Sequence, residues 1–261
     1  MTPPLAGRVV VVTRPAAQAT PFAALVAAAG AEPLLVPTLE IVTVELDAAA
    51  RSHLAPDDFD WTIFTSTNAV ESSLAQLPRP SRSRVGAVGR ATARALERHG
   101  VPVAAVPRTT SDSEGLLELD CFAHLRGQRV LILKGRGGRT LLREELARRG
   151  AEVVLGDVYE RRRAAADPAA MTALRRACDA GAAVVAATSA EVLAALLELA
   201  PEGDCPRLKD AALLVPGERV AAAARELGWR GRIVVAPSAE DAAMAEALGR
   251  AFAGGSGPGA A

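Results

Sequence analysis

Short apolar runs bounded by turn residues recur along the chain and determine its predicted secondary structure. Within these runs apolar and polar residues do not alternate, which is typical of strands covered on both faces in a parallel sheet. The runs are Val9–Val12, Leu34–Val36, Trp61–Phe64, Val103–Val106, Val130–Leu133, Val153–Leu155, Val184–Ala187, Leu213–Val215 and Ile233–Val235. We therefore predict about ten parallel strands.

Between the runs lie stretches rich in alanine, leucine, arginine and glutamate with helical spacing. Four of these stretches end in glycine, which adopts a left-handed C-terminal conformation without steric cost. These glycines are Gly30, Gly100, Gly150 and Gly228. Helix starts with an acidic residue three positions later, the spacing of a capping box, are predicted at Asn68, Ser111, Thr188 and Ser238. The alternation of strands and helices indicates an α/β fold.

The chain also repeats its own order, at an offset of about 120 to 128 residues. Gly7–Arg14, with a helix ending at Gly30, matches Gly127–Lys134, with a helix ending at Gly150. Three more blocks recur in the same order: Phe64–Val70 with Ala187–Val192, Val88–Leu96 with Pro216–Ala224, and Ser111–Leu117 with Ser238–Met244. This internal duplication predicts two similar lobes with a cleft between them.

Two equivalent extended segments, Pro37–Ile41 and Asp157–Arg161, follow the first βαβ unit of each copy. As crossover linkers they would let the first unit of each copy join the remaining units of the other. The periodicity alone leaves that exchange open.

The composition argues against nucleic-acid-binding, membrane and disulfide-rich secreted proteins. Lys plus Arg equals Asp plus Glu at 30 each, so the overall charge gives no indication of a nucleic-acid or membrane surface. No apolar run approaches the roughly 18 residues of a membrane span, and the N-terminus lacks a signal-peptide pattern. Cys121, Cys178 and Cys205 have neither metal-ligand nor disulfide-framework spacing, so we expect a protein of the reduced cytoplasm.

Small polar residues and glycines follow the predicted strands at six places. In open parallel sheets, ligands bind beyond the carboxyl ends of the strands, where helix N-termini present free backbone N–H groups. Each place alone is typical of a helix cap, but the six together favour an anion-binding cleft. The residues are Thr13 and Arg14; Ser66, Thr67 and Asn68; Gly89, Arg90, Ala91 and Thr92; Gly135, Arg136, Gly137 and Gly138; Thr188, Ser189 and Ala190; and Gly217, Glu218 and Arg219.

Other kinds of site lack their patterns. The segment Lys134–Arg139 has neither the glycine spacing of a dinucleotide site nor that of a P-loop, although its three cations suit carboxylates. His53, His99 and His124 form no paired motif, and no metal-ligand set is present. We therefore expect no metal and no organic cofactor. Tyr159 is the only tyrosine, and from its position alone it is either a packing residue or part of a site.

The motifs in their order resemble uroporphyrinogen-III synthase, the cofactor-free cyclase of tetrapyrrole biosynthesis. Individually they are loose, but their order and spacing together are specific. The similarity extends from about Gly7 to Leu248 and rests on Val12–Pro15, Phe64–Val70, Val88–Ala93, Ser113–Leu116 and Val158–Arg161.

This resemblance implies an α/β protein with two flavodoxin-like parallel-sheet domains joined by a two-stranded linker. It implies an outer domain of residues 1–37 and 162–261, an inner domain of residues 42–157, and linkers at 38–41 and 158–161. It implies conversion of hydroxymethylbilane to uroporphyrinogen III, with loss of water and inversion of the terminal ring through a spiro intermediate. It also implies a cytoplasmic monomer that contacts the preceding pathway enzyme transiently.

The resemblance further implies that Tyr159 lines the cleft and assists departure of the substrate hydroxyl group, as a neutral phenol that donates a hydrogen bond. Ser66 and Thr92 match cleft residues of the family, and Ser113 and Glu114 lie in a matched motif. The substrate carries eight carboxylates, which helix-terminal amides and a few arginines can hold without a basic overall charge. Where some members have threonine after the equivalent glycine, this chain has Glu218.

Two other classes remain as alternatives. Two α/β lobes around a cleft are also the plan of small-molecule-binding regulators and of periplasmic receptors. The missing signal peptide argues against a receptor, and the missing DNA-binding segment argues against a regulator. A nucleotide-dependent enzyme is weakened by the absent phosphate-binding motifs.

Overall fold

The structure is a computed structural model that describes residues 3–107, 112–138 and 140–253. Its strands are β1 (Val9–Val12), β2 (Glu32–Leu35), β3 (Leu39–Thr43), β4 (Trp61–Phe64), β5 (Arg84–Ala87), β6 (Arg129–Gly135), β7 (Glu152–Arg163), β8 (Ala183–Ala186), β9 (Ala212–Pro216) and β10 (Ile233–Ala236). Its helices are α1 (Ala16–Ala28), α2 (Ala48–His53), α3 (Thr67–Leu74), α4 (Arg90–Arg98), α5 (Ser113–Leu117), α6 (Leu141–Arg148), α7 (Pro168–Asp179), α8 (Ala190–Leu199), α9 (Glu218–Glu226) and α10 (Asp241–Phe252). The predicted α/β class is confirmed.

The chain divides into two compact units, one of residues 1–40 and 162–261 and the other of residues 41–161. We call them unit 1 and unit 2. The chain passes between them twice, at Glu40/Ile41 within β3 and at Arg161/Arg162 within β7.

Unit 1 contains a five-stranded sheet in the order β10-β9-β8-β1-β2. Its neighbouring strands are parallel, with Val9 opposite both Glu32 of β2 and Ala183 of β8. Strand β1, from the first copy of the duplication, therefore pairs with β8 from the second. In order of appearance within the unit, the strands follow the 2-1-3-4-5 order of doubly wound flavodoxin-like sheets.

The sheet of unit 2 has the order β3-β7-β6-β4-β5. Strands β4, β5, β6 and β7 are parallel, and β6 of the second copy pairs with β4 of the first. Strand β3 runs the other way, because the Val44 N–H donates to Val158 O (3.0 Å) while the Ala164 N–H donates to Thr38 O (3.1 Å). The expectation that all strands are parallel is thus wrong for β3, which arises from a predicted linker segment.

One predicted strand is also wrong. The segment Val103–Val106 forms only an isolated bridge, between Ala105 and Gly86. Gly86 belongs to β5, which is the strand at this edge of the sheet. Pro102 and Pro107 flank the apolar residues, and proline cannot donate a ladder hydrogen bond. Strand β5 escaped prediction because its four residues include an arginine and a glycine.

The glycine stops are confirmed, since all four have positive φ, between 72° and 94°. The predicted helix starts need correction. Ser66, not Asn68, caps α3 by accepting the Ala69 N–H (3.1 Å), and Ser189, not Thr188, caps α8 by accepting the Val192 N–H (3.2 Å). In both helices the capping hydroxyl group lies three residues before the N–H group from which it accepts a hydrogen bond. The acidic residue on which the prediction relied does not identify the capping residue.

The other two predicted starts also differ. Asp112 caps α5 by accepting the Gly115 N–H (2.9 Å), whereas the predicted Ser111 lies outside the described residues. Helix α10 has no side-chain cap; the Ser238 hydroxyl instead accepts from the Glu240 N–H (3.3 Å), ahead of the helix.

Apolar cores cover both faces of each sheet. In β1 the side chain of Val11 packs into one core, while Val10 and Val12 pack into another, and all three are completely buried. Ile63 and Phe64 of β4 divide in the same way between the two cores of unit 2. This two-sided burial is why the strands have continuous apolar runs. Within the described ranges, no helix has the length and apolarity needed to cross a bilayer.

Candidate active site

Each unit presents three of the six predicted segments beyond the carboxyl ends of its parallel strands. In unit 2, Ser66 follows β4, Gly89 follows β5, and Gly135 ends β6. In unit 1, Thr13 follows β1, and the remaining two segments follow β8 and β9. Because neighbouring parallel strands end at the same edge of a sheet, the segments of one unit share an edge.

A cavity of about 490 Å³ opens at this edge of unit 2. This volume lies within the range of small-molecule sites. Among the predicted site residues, it contains Ser66, Ser113, Gly135, Gly137, Gly138 and Tyr159. The other residues that line it are Thr65, Ile132, Lys134, Thr140, Leu142, Arg143, Leu155 and Arg161.

Tyr159 joins the cavity to the core. Only 2% of it is exposed and its ring packs in a core of unit 2, but its hydroxyl has polar neighbours. Tyr159 Oη lies 3.1 Å from Ser66 Oγ and accepts a hydrogen bond from Arg161 Nη2 at 3.3 Å. The guanidinium carbon of Arg161 lies 5.7 Å from the centre of the ring. The phenol is therefore both packed and hydrogen-bonded, so the two alternatives from the sequence coexist.

An irregularity in the β6–β7 pairing aims Tyr159 into this position. Lys134 lies opposite Asp157 and Gly135 opposite Tyr159, so Val158 is an extra residue on β7. Val158 and Tyr159 are consecutive and both pack into the same core, which a regular strand with alternating faces does not produce. A bulge of this kind re-aims the side chain that follows it.

Gly135 leaves the space that the phenol occupies. A Cβ atom at this position would lie 2.6 Å from Tyr159 Cζ and 2.9 Å from its Oη, closer than van der Waals contact allows. The backbone that follows Gly135 is also linked to the tyrosine, because the Arg136 N–H donates to Tyr159 O at 2.7 Å. In the first copy, at the offset that aligns Gly7 with Gly127, the equivalent residues are Pro15 and Leu39.

Cationic side chains border the cavity. Lys134 Nζ donates to Asp157 Oδ1 (3.0 Å) and to Gly135 O (2.8 Å), whereas Arg143 is exposed on α6. Arg136, a predicted binding residue, is not part of the lining; it pairs with Glu160 at 2.7 Å. The next two residues, Gly137 and Gly138, have positive φ values of 75° and 84°, a backbone conformation that glycine adopts without steric cost.

Sequence reasoning missed four polar lining residues: Thr65, Thr140, Arg143 and Arg161. The sequence did indicate Arg161, because residues two apart on a strand share a face and Tyr159 was already a candidate. Thr65 directly precedes the predicted Ser66. For Arg143 no signal existed, because only the fold places its helix beside the cavity.

The other predicted residues of unit 2 lie in the first turns of their helices. Thr67 and Asn68 are half-buried at the start of α3, and Glu114 is exposed at the start of α5. Arg90 and Ala91 are exposed at the start of α4, whereas Thr92 is 5% exposed. Helix α4 follows Gly89 without a side-chain cap. Its first backbone N–H groups are therefore not used by a capping side chain.

In unit 1 two predicted side chains interact with other residues of the protein. Thr13 is completely buried and donates to Ala186 O at 2.7 Å. Arg14 forms an ion pair with Asp241 and lies over the ring of Phe22. What unit 1 offers a ligand at this segment is consequently backbone rather than these two side chains.

The other two segments of unit 1 are more open. Thr188, Ser189 and Ala190 are half-buried, and Ser189 serves as a helix cap. Gly217 precedes α9 with a φ of 81° and no side-chain cap, and the next two residues, Glu218 and Arg219, are exposed.

Metal and thiol chemistry have no structural support in the part of the chain that is described. No group of three His, Cys, Asp or Glu residues there is arranged to hold a metal ion. Burial raises the pKa of the Cys178 thiol and of the Cys205 thiol, so both remain protonated and weakly reactive near neutral pH.

Comparisons with a family model and with curated relatives give matches to the same family. A family model described as uroporphyrinogen-III synthase HemD matches residues 20–246. A uroporphyrinogen-III synthase of Salmonella typhimurium is 35% identical over 248 residues, which cover 92% of this chain and 99% of that relative. The Escherichia coli enzyme of the same name is 35% identical over 210 residues, covering 78% and 84% of the two chains.

Two solved structures share the fold. A mutant uroporphyrinogen III synthase of Thermus thermophilus aligns with a TM-score of 0.59 at 24% identity, covering 94% of this chain and 98% of its own. A uroporphyrinogen-III synthetase of Helicobacter pylori aligns with a TM-score of 0.59 at 20% identity, covering 92% and 96%.

Proposed function

The chain belongs to the uroporphyrinogen-III synthase family, and from that premise we propose that the cavity around Tyr159 is where the substrate loses its hydroxyl group. The protein is an enzyme of tetrapyrrole biosynthesis that cyclises hydroxymethylbilane to uroporphyrinogen III. The observation that carries the proposal is the position of the phenol oxygen, within hydrogen-bond distance of Ser66 and Arg161 in a cavity lined by cations.

Departure of the hydroxyl group needs a proton donor. The pyrrole nitrogen pushes electrons toward the hydroxymethyl carbon, the C–O bond breaks, and the oxygen must leave as water. Ser66 Oγ already accepts the Ala69 N–H, so its own proton is free to bond Tyr159 Oη. With Ser66 and Arg161 donating to its two lone pairs, the phenol directs its proton at the leaving oxygen.

The resulting azafulvene is an electrophile, and the substituted carbon of the terminal ring attacks it to form the spiro intermediate. Rearrangement of that intermediate and loss of a proton give the inverted ring. The released proton restores the phenol, so the protein ends the cycle unchanged. While the proton is away, the Arg161 guanidinium stabilises the negative charge on Tyr159 Oη.

The substrate carboxylates are bound by the cations and amides at the same edge. Lys134 and Arg143 line the cavity, together with the backbone of Gly137 and Gly138. The uncapped first turn of α4, in the same unit, offers further N–H groups. A neutral chain can thereby bind a polyanion through local features.

We also propose that units 1 and 2 correspond to an outer domain (residues 1–37 and 162–261) and an inner domain (residues 42–157), linked at 38–41 and 158–161. The protein then acts as a cytoplasmic monomer that meets the preceding enzyme of its pathway transiently. The crossing points inside β3 and β7 support the domain assignment.

An assay with hydroxymethylbilane that resolves type I from type III product tests the function. Spontaneous cyclisation gives the type I isomer, so an excess of type III demonstrates catalysis. A binding module would leave the type I product unchanged, and a nucleotide-dependent enzyme would need an added nucleotide for type III to form.

We expect full activity without metal or organic cofactor, because a phenol, a hydroxyl group and fixed cations meet the chemical requirements. Exhaustive chelation followed by dialysis should leave turnover unchanged. Activity that is lost on this treatment and restored by an added ion would contradict the expectation.

A further inference from the structure

Leu155 breaks the burial pattern of its surroundings. Only three large hydrophobic residues in the described ranges are exposed: Leu25, Leu35 and Leu155, at 39%, 43% and 38%. Isolated exposed leucines are ordinary on protein surfaces. Leu155, however, lines the cavity that contains the Tyr159 hydroxyl, and the other two leucines do not.

The position of Leu155 fits it to contact a ligand. It lies on β7, opposite Ile132 of β6, and Ile132 and Leu142 line the same cavity from the core. One part of the wall is therefore apolar, whereas Lys134, Arg143 and Arg161 supply cations around it. A pyrrole ring has the matching character, because its flat face is apolar and its acidic side chains project from its edge.

We propose that Leu155 is a positioning residue, which packs against the face of the pyrrole ring that bears the hydroxymethyl group. This inference rests on the proposed function of Tyr159. The cavity, at about 490 Å³, takes one end of the four-ring substrate rather than all of it. The ring's carboxylates bind the surrounding cations, and its hydroxymethyl carbon comes to lie beside the phenol.

This role makes Leu155 responsible for holding the substrate and not for proton transfer. Contact with the ring removes from water the part of the leucine that is exposed in the free enzyme. Its loss weakens binding of the substrate and of the transition state alike, so KM rises while kcat changes little. Substrate molecules that leave the enzyme before reacting cyclise in solution to the type I isomer.

The test compares Leu155→Ser with Leu25→Ser, a change at a leucine of nearly equal exposure on α1 of unit 1. We expect Leu155→Ser to lower kcat/KM about 10-fold, mainly through KM, and to raise the type I fraction at low enzyme concentration. Leu25→Ser should match wild type. Leu155→Met, which keeps an apolar side chain of similar volume, should recover activity to within about threefold.

Each result decides the matter. A Leu155→Ser enzyme within twofold of wild type overturns the proposal, as does an equal loss in Leu25→Ser or a failure of methionine to rescue. A loss confined to kcat would make the residue part of the chemistry and also overturn it. If Tyr159→Phe loses activity while Leu155→Ser does not, the proposed function stands and only this inference fails.

Discussion

Tyr159→Phe is expected to lower kcat about 10- to 100-fold while the protein remains folded and its product stays largely type III. The substitution keeps the ring in its core and removes only the oxygen that bonds Ser66 and Arg161. Isomer choice depends on how the whole binding surface folds the bilane, so it should survive the loss of one hydroxyl group. Turnover and isomer ratio are the measurements.

Thermal unfolding serves as the control for Tyr159→Phe. Two part-buried hydrogen bonds are lost, each contributing roughly 1 kcal/mol to stability, and for a chain of this size each kcal/mol lowers Tm by only about 2–4 °C. Wild-type turnover in such a stably folded variant would reduce Tyr159 to a packing residue. Backbone amides and substrate shape would then account for catalysis.

Gly135→Ala should lower kcat about 10- to 100-fold, up to the full effect of Tyr159→Phe, because displacement of a catalytic group by about 1 Å has effects of up to that size. The added methyl group would meet Tyr159 Cζ at 2.6 Å, so the ring must move. Backbone strain does not contribute, since Gly135 is not among the glycines with positive φ. Gly203→Ala is the matched control, because a Cβ there meets nothing within 4 Å.

The single tyrosine allows this displacement to be observed directly. With ¹³C at the tyrosine ζ position, the NMR spectrum contains one labelled signal, which should shift in Gly135→Ala and stay in place in Gly203→Ala. In a Tyr159→Phe background, Gly135→Ala should remove much less activity than it does alone, because the proton donor is already gone. An unshifted signal with normal turnover, or additive losses in the double variant, would contradict the positioning role.

The sequence predicted two lobes because the chain repeats its own order. It predicted parallel strands because strands covered on both faces are continuously apolar, as the Val9–Val12 run demonstrates. It missed β5 because Arg84 and Gly86 interrupt that signal. It placed β3 in a linker, since the antiparallel pairing with β7 joins segments more than a hundred residues apart. Local patterns do not encode such pairing.

The candidate site was predicted to a similar degree. Tyr159, Ser66 and Gly135 were found because each belongs to a motif, and the structure brings all three to one cavity. Arg143 and Leu155 belong to no motif, and their place depends on how α6 and β7 pack. Thr13 was predicted from its position after a strand, but whether a hydroxyl faces solvent or a neighbouring carbonyl depends on packing.

The contact between Gly135 and Tyr159 constrains the history of the duplication. A tyrosine that arose opposite an existing side chain would have clashed with it, whereas a glycine alone would have left only an unfilled space. On any mutational path that avoids this clash, glycine at position 135 therefore comes before tyrosine at position 159. The first copy has proline and leucine at the equivalent positions, so neither half of the pair is present there.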